Sequence, residues 1–187
     1  KLTLNLEYKN LNIYNVLSTL ALLSVLKLNL YKIVNYLKNH EPTEGRGKIH
    51  NIKRYKKNFK LIDESYNANP LSVKIAIKNF DSIKKQKFKK YLLLGDMLEL
   101  GKRSDVLHKD ISKVINNSDI DKVFIKGDKT LITYKNINKG KRGNIFQQDE
   151  DVDFTLNHII SNNDYLMIKG SNATGLNNLS KKMIKGY

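Results

Sequence analysis

The residues best equipped for chemistry gather in Asp63-Glu64-Ser65-Tyr66-Asn67-Ala68-Asn69-Pro70, where an acid pair, a hydroxyl, an aromatic ring and two amides precede a proline. Such a polar stretch after the apolar Leu61-Ile62 suits a ligand held at the carboxyl end of a strand. A well-capped surface loop has the same composition. Asp63 is placed to accept hydrogen bonds from a ribose hydroxyl, or to act as an ordinary cap. Three more polar clusters follow at Gly95-Asp96-Met97-Leu98-Glu99, Lys126-Gly127-Asp128 and Lys169-Gly170-Ser171-Asn172-Ala173-Thr174. Asp96 and Glu99, three apart, fit acid–base work or a metal; the plainer reading is that they cap the next helix and orient neighbouring loops. Lys169 fits a substrate carboxylate or phosphate. Arg46 lies between Gly45 and Gly47, which let backbone approach a ligand closely; on residue type alone it is a solvated linker charge. His40, His50, His108 and His158 show no metal-ligand spacing, and no metal is expected to be bound by this chain alone.

Each of these clusters falls just after a predicted strand. Strands are expected over residues 49–55 and 59–62, joined by the basic turn Lys56-Lys57-Asn58, and again over 91–94, 122–125, 144–146 and 165–168. Tyr91-Leu92-Leu93-Leu94 and Tyr165-Leu166-Met167-Ile168 are continuous apolar runs, the pattern of strands buried on both faces. Helices are expected over residues 70–83, with Asn69 as cap and Pro70 at the first position, then 104–115 with Val106, Leu107, Ile111 and Val114 inward, 152–160 and 175–184. Alternation of this kind implies parallel strands joined by crossover helices, an α/β sheet covered on both faces and Rossmann-like in topology. The loops after parallel strands emerge on one edge and line one crevice. Neither a G-x-G-x-x-G nor a G-x-x-x-x-G-K-[ST] run is present.

Upstream, Leu2, Leu4 and Leu6 alternate as a strand. Asn12 can cap a buried helix carrying Ile13, Val16, Leu17, Leu20, Leu23 and Leu28, and a second helix is expected over residues 30–38. Glu41-Pro42-Thr43-Glu44-Gly45-Arg46-Gly47 breaks the pattern and marks a domain boundary, with residues 1–43 the end of something larger.

Across 187 residues, 34 Lys+Arg against 18 Asp+Glu give a formal net charge of +16, which raises nucleic-acid binding as an alternative. The lysines are spread along the chain, and the densest run, Lys84-Lys85-Gln86-Lys87-Phe88-Lys89-Lys90, sits between a helix and a strand where solvated cations are ordinary. Richness in Asn and Ile points to compositional bias as the source of much of the lysine. The chain has no cysteine, which excludes disulfides and thiolate metal sites and fits a reducing cytosol. Its most apolar stretch, residues 16–26, is shorter than the ~20 residues a membrane span needs.

The stretch Asp63-Glu64-Ser65-Tyr66-Asn67-Ala68-Asn69-Pro70 resembles the D-x-S-Y-N-A-N-P signature of the Mur ligases. Further matches fall in the family's order: Asn12-Ile13-Tyr14-Asn15-Val16-Leu17 with Gly45-Arg46-Gly47, Leu94-Gly95-Asp96-Met97-Leu98-Glu99-Leu100-Gly101, and Leu166-Met167-Ile168-Lys169-Gly170-Ser171-Asn172. The wording is most similar to the members that add D-alanyl-D-alanine to UDP-N-acetylmuramoyl-tripeptide. The resemblance covers nearly the whole chain but only the carboxyl-terminal part of the family's length. It implies that residues 1–43 end the central ATP-binding domain and that residues 44–187 are the carboxyl-terminal domain.

By the same resemblance Asn15, Arg46, Asp63 and Asn67 approach ATP, Asp63 at the ribose and Arg46 at the phosphates. Asn67, Asn69, Asp96, Lys169 and Ser171 fall on the substrate side; Asn69 is equally a helix cap. His108 matches a family histidine and is assigned packing or capping. Where the family has histidine four positions before Asn15 this chain has Leu11, and it departs again at Asn172 and Leu176-Asn177. The implied partners are ATP, UDP-N-acetylmuramoyl-tripeptide and D-Ala-D-Ala, with Mg²⁺, its ligands, the P-loop lysine and a modified lysine all expected upstream of Lys1. No catalytic residue is expected here, and the chain alone is expected to be inactive, a monomer with neither nucleic-acid partner nor membrane span. A sister Mur ligase adding another amino acid, and a basic nucleic-acid-binding α/β module, are the alternatives.

Overall fold

A computed structural model describes residues 13–32, 36, 41–84 and 86–186. Contacts divide the chain into two compact units, residues 1–43 and 44–187.

In the first unit, α1 (Ile13–Val25) buries Val16 alone, while Ile13, Leu17 and Leu22 are exposed. This corrects the expectation of a buried helix: helical spacing identifies residues that share a face, but not whether anything covers that face. Leu28 lies beyond the helix, past a turn at Lys27 with φ of +54°. The expected strand at Leu2, Leu4 and Leu6, the Asn12 cap and most of the helix expected over residues 30–38 fall outside the described residues.

The second unit holds β1 (Lys48–Arg54), β2 (Lys57–Glu64), α2 (Pro70–Ser82), β3 (Lys90–Gly95), α3 (Ser104–Asn116), β4 (Lys122–Lys126), α4 (Thr130–Asn136), β5 (Arg142–Ile145), α5 (Asp149–Ile159), β6 (Tyr165–Lys169) and α6 (Leu176–Lys185). The six strands form one sheet in the order β1-β2-β6-β3-β4-β5. The fold class follows the sequence reading, with one departure: β1 pairs antiparallel with β2, and the other pairs are parallel. The hairpin turn is Tyr55-Lys56, with φ of +56° and +57°, and Lys57 and Asn58 belong to β2 rather than to the expected turn. Positive φ at both central residues matches the right-handed strand twist but is usually supplied by Asn-Gly, so this sequence does not advertise the turn. A helix over α4 was also absent from the expectation.

Alternation along the strands sends side chains to two cores. Ile62, Leu92, Leu94, Val123, Ile125 and Met167 meet α2 and α3 on one face. Phe59, Leu61, Tyr91, Leu93, Leu166 and Ile168 meet α5 and α6 on the other. Helix α2 begins as expected: the Asn69 Oδ1 accepts the Ser72 amide at 2.8 Å while the Ser72 Oγ accepts the Asn69 amide at 3.1 Å. In α3 the inward positions are His108, Ile111, Ser112 and Ile115, whereas Val106 is exposed, correcting its expected place in the core. Lys90, taken in sequence as a solvated cation, is fully buried at the start of β3. Its ammonium meets both carboxylate oxygens of Asp119, at 2.7 and 2.8 Å, and the Asp81 carbonyl at 3.0 Å.

Candidate functional site

Because β2, β6, β3 and β4 are adjacent and parallel, the loops that follow them emerge on one edge of the sheet. The residues of these loops are tied together, and the linker carrying Arg46 is tied to them.

Asp63 makes that tie. It is 1% exposed, and its Oδ2 accepts the Gly45 amide at 2.8 Å while its carbonyl accepts the Gly47 amide at 2.7 Å. Its Oδ1 accepts the Ser65 hydroxyl at 2.5 Å and the Ser65 amide at 3.3 Å. Gly45 also accepts the Tyr66 amide at 3.1 Å, and a Cβ at Gly45 would lie 2.7 Å from the Tyr66 Cβ. Gly45 and Gly47 have φ of +75° and +97°, so the linker can be nailed down on both sides of Arg46 only where both residues lack a side chain. Arg46 itself is exposed, with its guanidinium carbon 4.5 Å from the centroid of the Tyr66 ring.

Lys169 is 2% exposed at the end of β6. Its ammonium donates to the Asn67 carbonyl at 2.6 Å and to the Glu64 carboxylate at 3.2 Å, binding the loop after β2 to its neighbouring strand. Burial pushes the Lys169 ammonium below its ordinary pKa; Glu64 opposes that and Arg46 adds to it. Burial likewise raises the Glu64 carboxyl, with Lys169 and Arg46 pulling it back. Arg46, Glu64 and Lys169 are thus within electrostatic reach of one another.

Ser171 joins three loops. Its Oγ accepts the Leu98 amide at 3.0 Å and donates to the Ala68 carbonyl at 3.3 Å, and its amide donates to the Asp96 carbonyl at 3.1 Å. Asp96 does not cap α3 as the sequence suggested. Its carboxylate accepts the Thr130 and Lys129 amides, at 2.8 and 3.2 Å, and so caps α4. Gly127, with φ of +139°, leaves room for that carboxylate, which any Cβ there would strike. Glu99 is exposed with φ of +62°. Asn67 is exposed, with its Oδ1 turned to the Ala68 amide at 2.7 Å, and Asn69 is occupied as the α2 cap. Asn15 lies on α1, in the other unit.

Contacts therefore connect Arg46, Asp63, Asn67, Asp96, Lys169 and Ser171 along one edge. Sequence reasoning missed Asn177 at the start of α6, buried with its Nδ2 directed to the Ser65 Oγ at 3.4 Å. It also gave Glu64 and the Tyr66 ring no role of their own. His108 is fully buried, holding the Met97 amide on Nε2 at 3.1 Å and the Ser104 carbonyl on Nδ1 at 2.8 Å, which fixes the 95–99 loop from beneath. No group of three His, Asp or Glu side chains able to hold a metal occurs among the described residues. Such an edge can bind and position rather than attack: the hydroxyls of Ser65 and Ser171 are taken up by loop contacts, and Arg46 presents an exposed guanidinium of a kind suited to phosphate or carboxylate.

A family model for the Mur ligase, glutamate ligase domain, matches residues 45–172. The chain belongs to the Mur ligase family. Among curated Mur ligases it is 27% identical over 165 residues to the UDP-N-acetylmuramoyl-tripeptide–D-alanyl-D-alanine ligase of Rickettsia prowazekii, covering 88% of this chain and 35% of that one. It is 30% identical over 185 residues to the same-named ligase of Buchnera aphidicola, covering 97% of this chain and 38% of the relative. The chain thus spans little more than a third of the curated relatives it matches. Among solved Mur ligase structures, MurF from Acinetobacter baumannii superposes with a TM-score of 0.77 at 24% identity, over 93% of this chain and 37% of that one. MurF from Thermotoga maritima in complex with ADP gives 0.75 at 20% identity, over 93% and 38%. These likenesses establish the fold of the Mur ligase carboxyl-terminal domain.

Proposed function

We propose that this chain is part of an ATP-dependent ligase that adds D-alanyl-D-alanine to UDP-N-acetylmuramoyl-tripeptide, forming one wall of the nucleotide site and much of the dipeptide site. Residues 1–43 would be the end of the central ATP-binding domain and residues 44–187 the carboxyl-terminal domain. Family membership and the activity for which the relatives are named support the reading. The observation that carries it is Arg46, held out by two anchored glycines beside the loops bearing Asn67, Lys169 and Ser171.

In the reaction the tripeptide carboxylate takes a phosphoryl group from ATP, releasing ADP. The dipeptide amine then attacks the acyl carbon, phosphate departs, and the amine gives up a proton as the amide forms. Catalysis of this kind rests on positioning and charge neutralisation. Arg46 offers paired N–H donors to phosphate oxygens. Lys169 and Ser171 act by holding the loop that presents Asn67. On this reading the Mg²⁺ ligands and the P-loop belong to a part of the ligase outside this chain. Residues 44–187 would then close over the ATP-binding domain as a lid.

The test uses the purified chain with ATP and both acceptors. Neither ADP release nor amide formation is expected, whereas ADP titrated into the ¹⁵N-labelled chain is expected to shift the amides of residues 45–47 and 65–68. Turnover with contaminating ligase excluded would sink the assignment of the chemistry to another region. Amides unmoved by millimolar ADP would remove this chain from the nucleotide site.

A further inference from the structure

We infer that Tyr66 is a positioning residue, whose ring holds the Arg46 guanidinium at one place on the crevice rim. Arg46 sits on a backbone that cannot drift, because Asp63 takes the amides of the glycines on both sides of it. That fixes where the side chain starts but not where its charged end lies, since a long side chain keeps several rotatable bonds. The Tyr66 ring supplies the second constraint, with the guanidinium carbon 4.5 Å from its centroid, within the range of an attractive cation–π contact.

The ring is itself anchored. Its amide donates to the Gly45 carbonyl, its Cβ packs where Gly45 has no side chain, and the next residue is fixed through its carbonyl to Lys169. Behind it, Ser65 is bound to Asp63 and faced by Asn177 of α6. The same Asp63 therefore holds the linker and the base of the Tyr66 loop, so both partners of the cation–π pair share one anchor. With 47% of Tyr66 exposed, the ring is a shelf at the surface rather than a core residue, and its removal leaves the two cores intact. A guanidinium whose carbon lies over a ring still has N–H donors to offer an anion from the solvent side.

The value of this for phosphate binding rests on the function proposed above; the positioning itself does not. Two measurements on the 187-residue chain separate them. The first is the ring-current displacement of the Arg46 Cδ protons by nuclear magnetic resonance. It is expected to persist in Tyr66→Phe and to vanish in Tyr66→Leu, with unchanged melting temperature in both. The second is affinity for inorganic tripolyphosphate. Tyr66→Leu is expected to weaken it about two- to fivefold, as an exposed cation–π contact allows. Arg46→Ala is expected to weaken it at least as much, and the double variant no further than Arg46→Ala alone. An Arg46 resonance unaffected by Tyr66→Leu overturns the positioning role. If Tyr66→Leu removes the ring-current displacement but Arg46→Ala leaves tripolyphosphate affinity unchanged, the positioning role stands and the phosphate reading falls.

Discussion

Lys169 and Glu64 share a place where neither charge would be stable alone. Their side chains are 3% and 19% exposed, and burial drives the two pKa values toward the neutral forms. Losing one partner of such a pair leaves an uncompensated buried charge, and Lys169→Met is expected to destabilise the fold by about 3 kcal/mol near neutral pH. The sign of its pH dependence follows. Without Lys169 the Glu64 carboxyl rises further above its unfolded value, and a group raised in the folded state contributes stability that is full below the unfolded pKa. That contribution is lost as pH rises through the folded pKa. The deficit of Lys169→Met should therefore shrink between pH 7 and pH 4, read as the difference in urea midpoints at each pH. A deficit that stays constant over that range would show that Glu64 carries no uncompensated charge. The pairing was invisible in sequence, where Lys169 read as a ligand-binding cation, because Glu64 lies 105 positions away along the chain. The bond between Gly45 and Asp63, 18 positions apart, was hidden for the same reason.

At the scale of elements, the Tyr55-Lys56 turn holds two residues with side chains in the left-handed region, where only glycine sits without steric penalty. Tyr55 has compensation: its hydroxyl donates to Asp153 at 2.6 Å and its ring stacks on Phe59. Lys56 is exposed, and Lys56→Gly is expected to stabilise the hairpin by about 0.5–1 kcal/mol, seen as a rise in melting temperature. A fall would mean that the side chain at position 56 contributes more than its backbone strain takes away. The same turn shows why some elements were legible and others not. The inner strands β3 and β6 are announced by unbroken apolar runs, and α2 by its Asn69 cap and Pro70, so each was read nearly to its ends. The antiparallel pairing of β1 with β2 needs a turn signal that Tyr-Lys does not give. Helix α4 is seven residues long and takes its cap from Asp96, on a different strand's loop, so nothing beside it in sequence marks its start.

For the whole molecule, the entire sheet and both cores lie within residues 44–187. A shortened chain of these residues is expected to unfold in a single cooperative transition at the midpoint of the 187-residue chain, followed by circular dichroism in urea. A broadened transition or a lower midpoint would assign residues 1–43 a share in holding this unit together. The charge distribution was legible as a total but not as a pattern: Lys90, which looked solvated, and Lys169, which looked free to meet a ligand, are both buried and held by protein groups. The two outer strands give the remaining lysines a further consequence. Along β1 the seven residues Lys48-Ile49-His50-Asn51-Ile52-Lys53-Arg54 include three cations, and β5 at the opposite edge is four residues long with an irregular register against β4. Neither offers a long, flat, apolar ribbon for another chain to extend, so the molecule resists edge-to-edge stacking into fibrils. That resistance is electrostatic at β1, where the three cations set copies of the edge against one another, and added salt weakens it by screening.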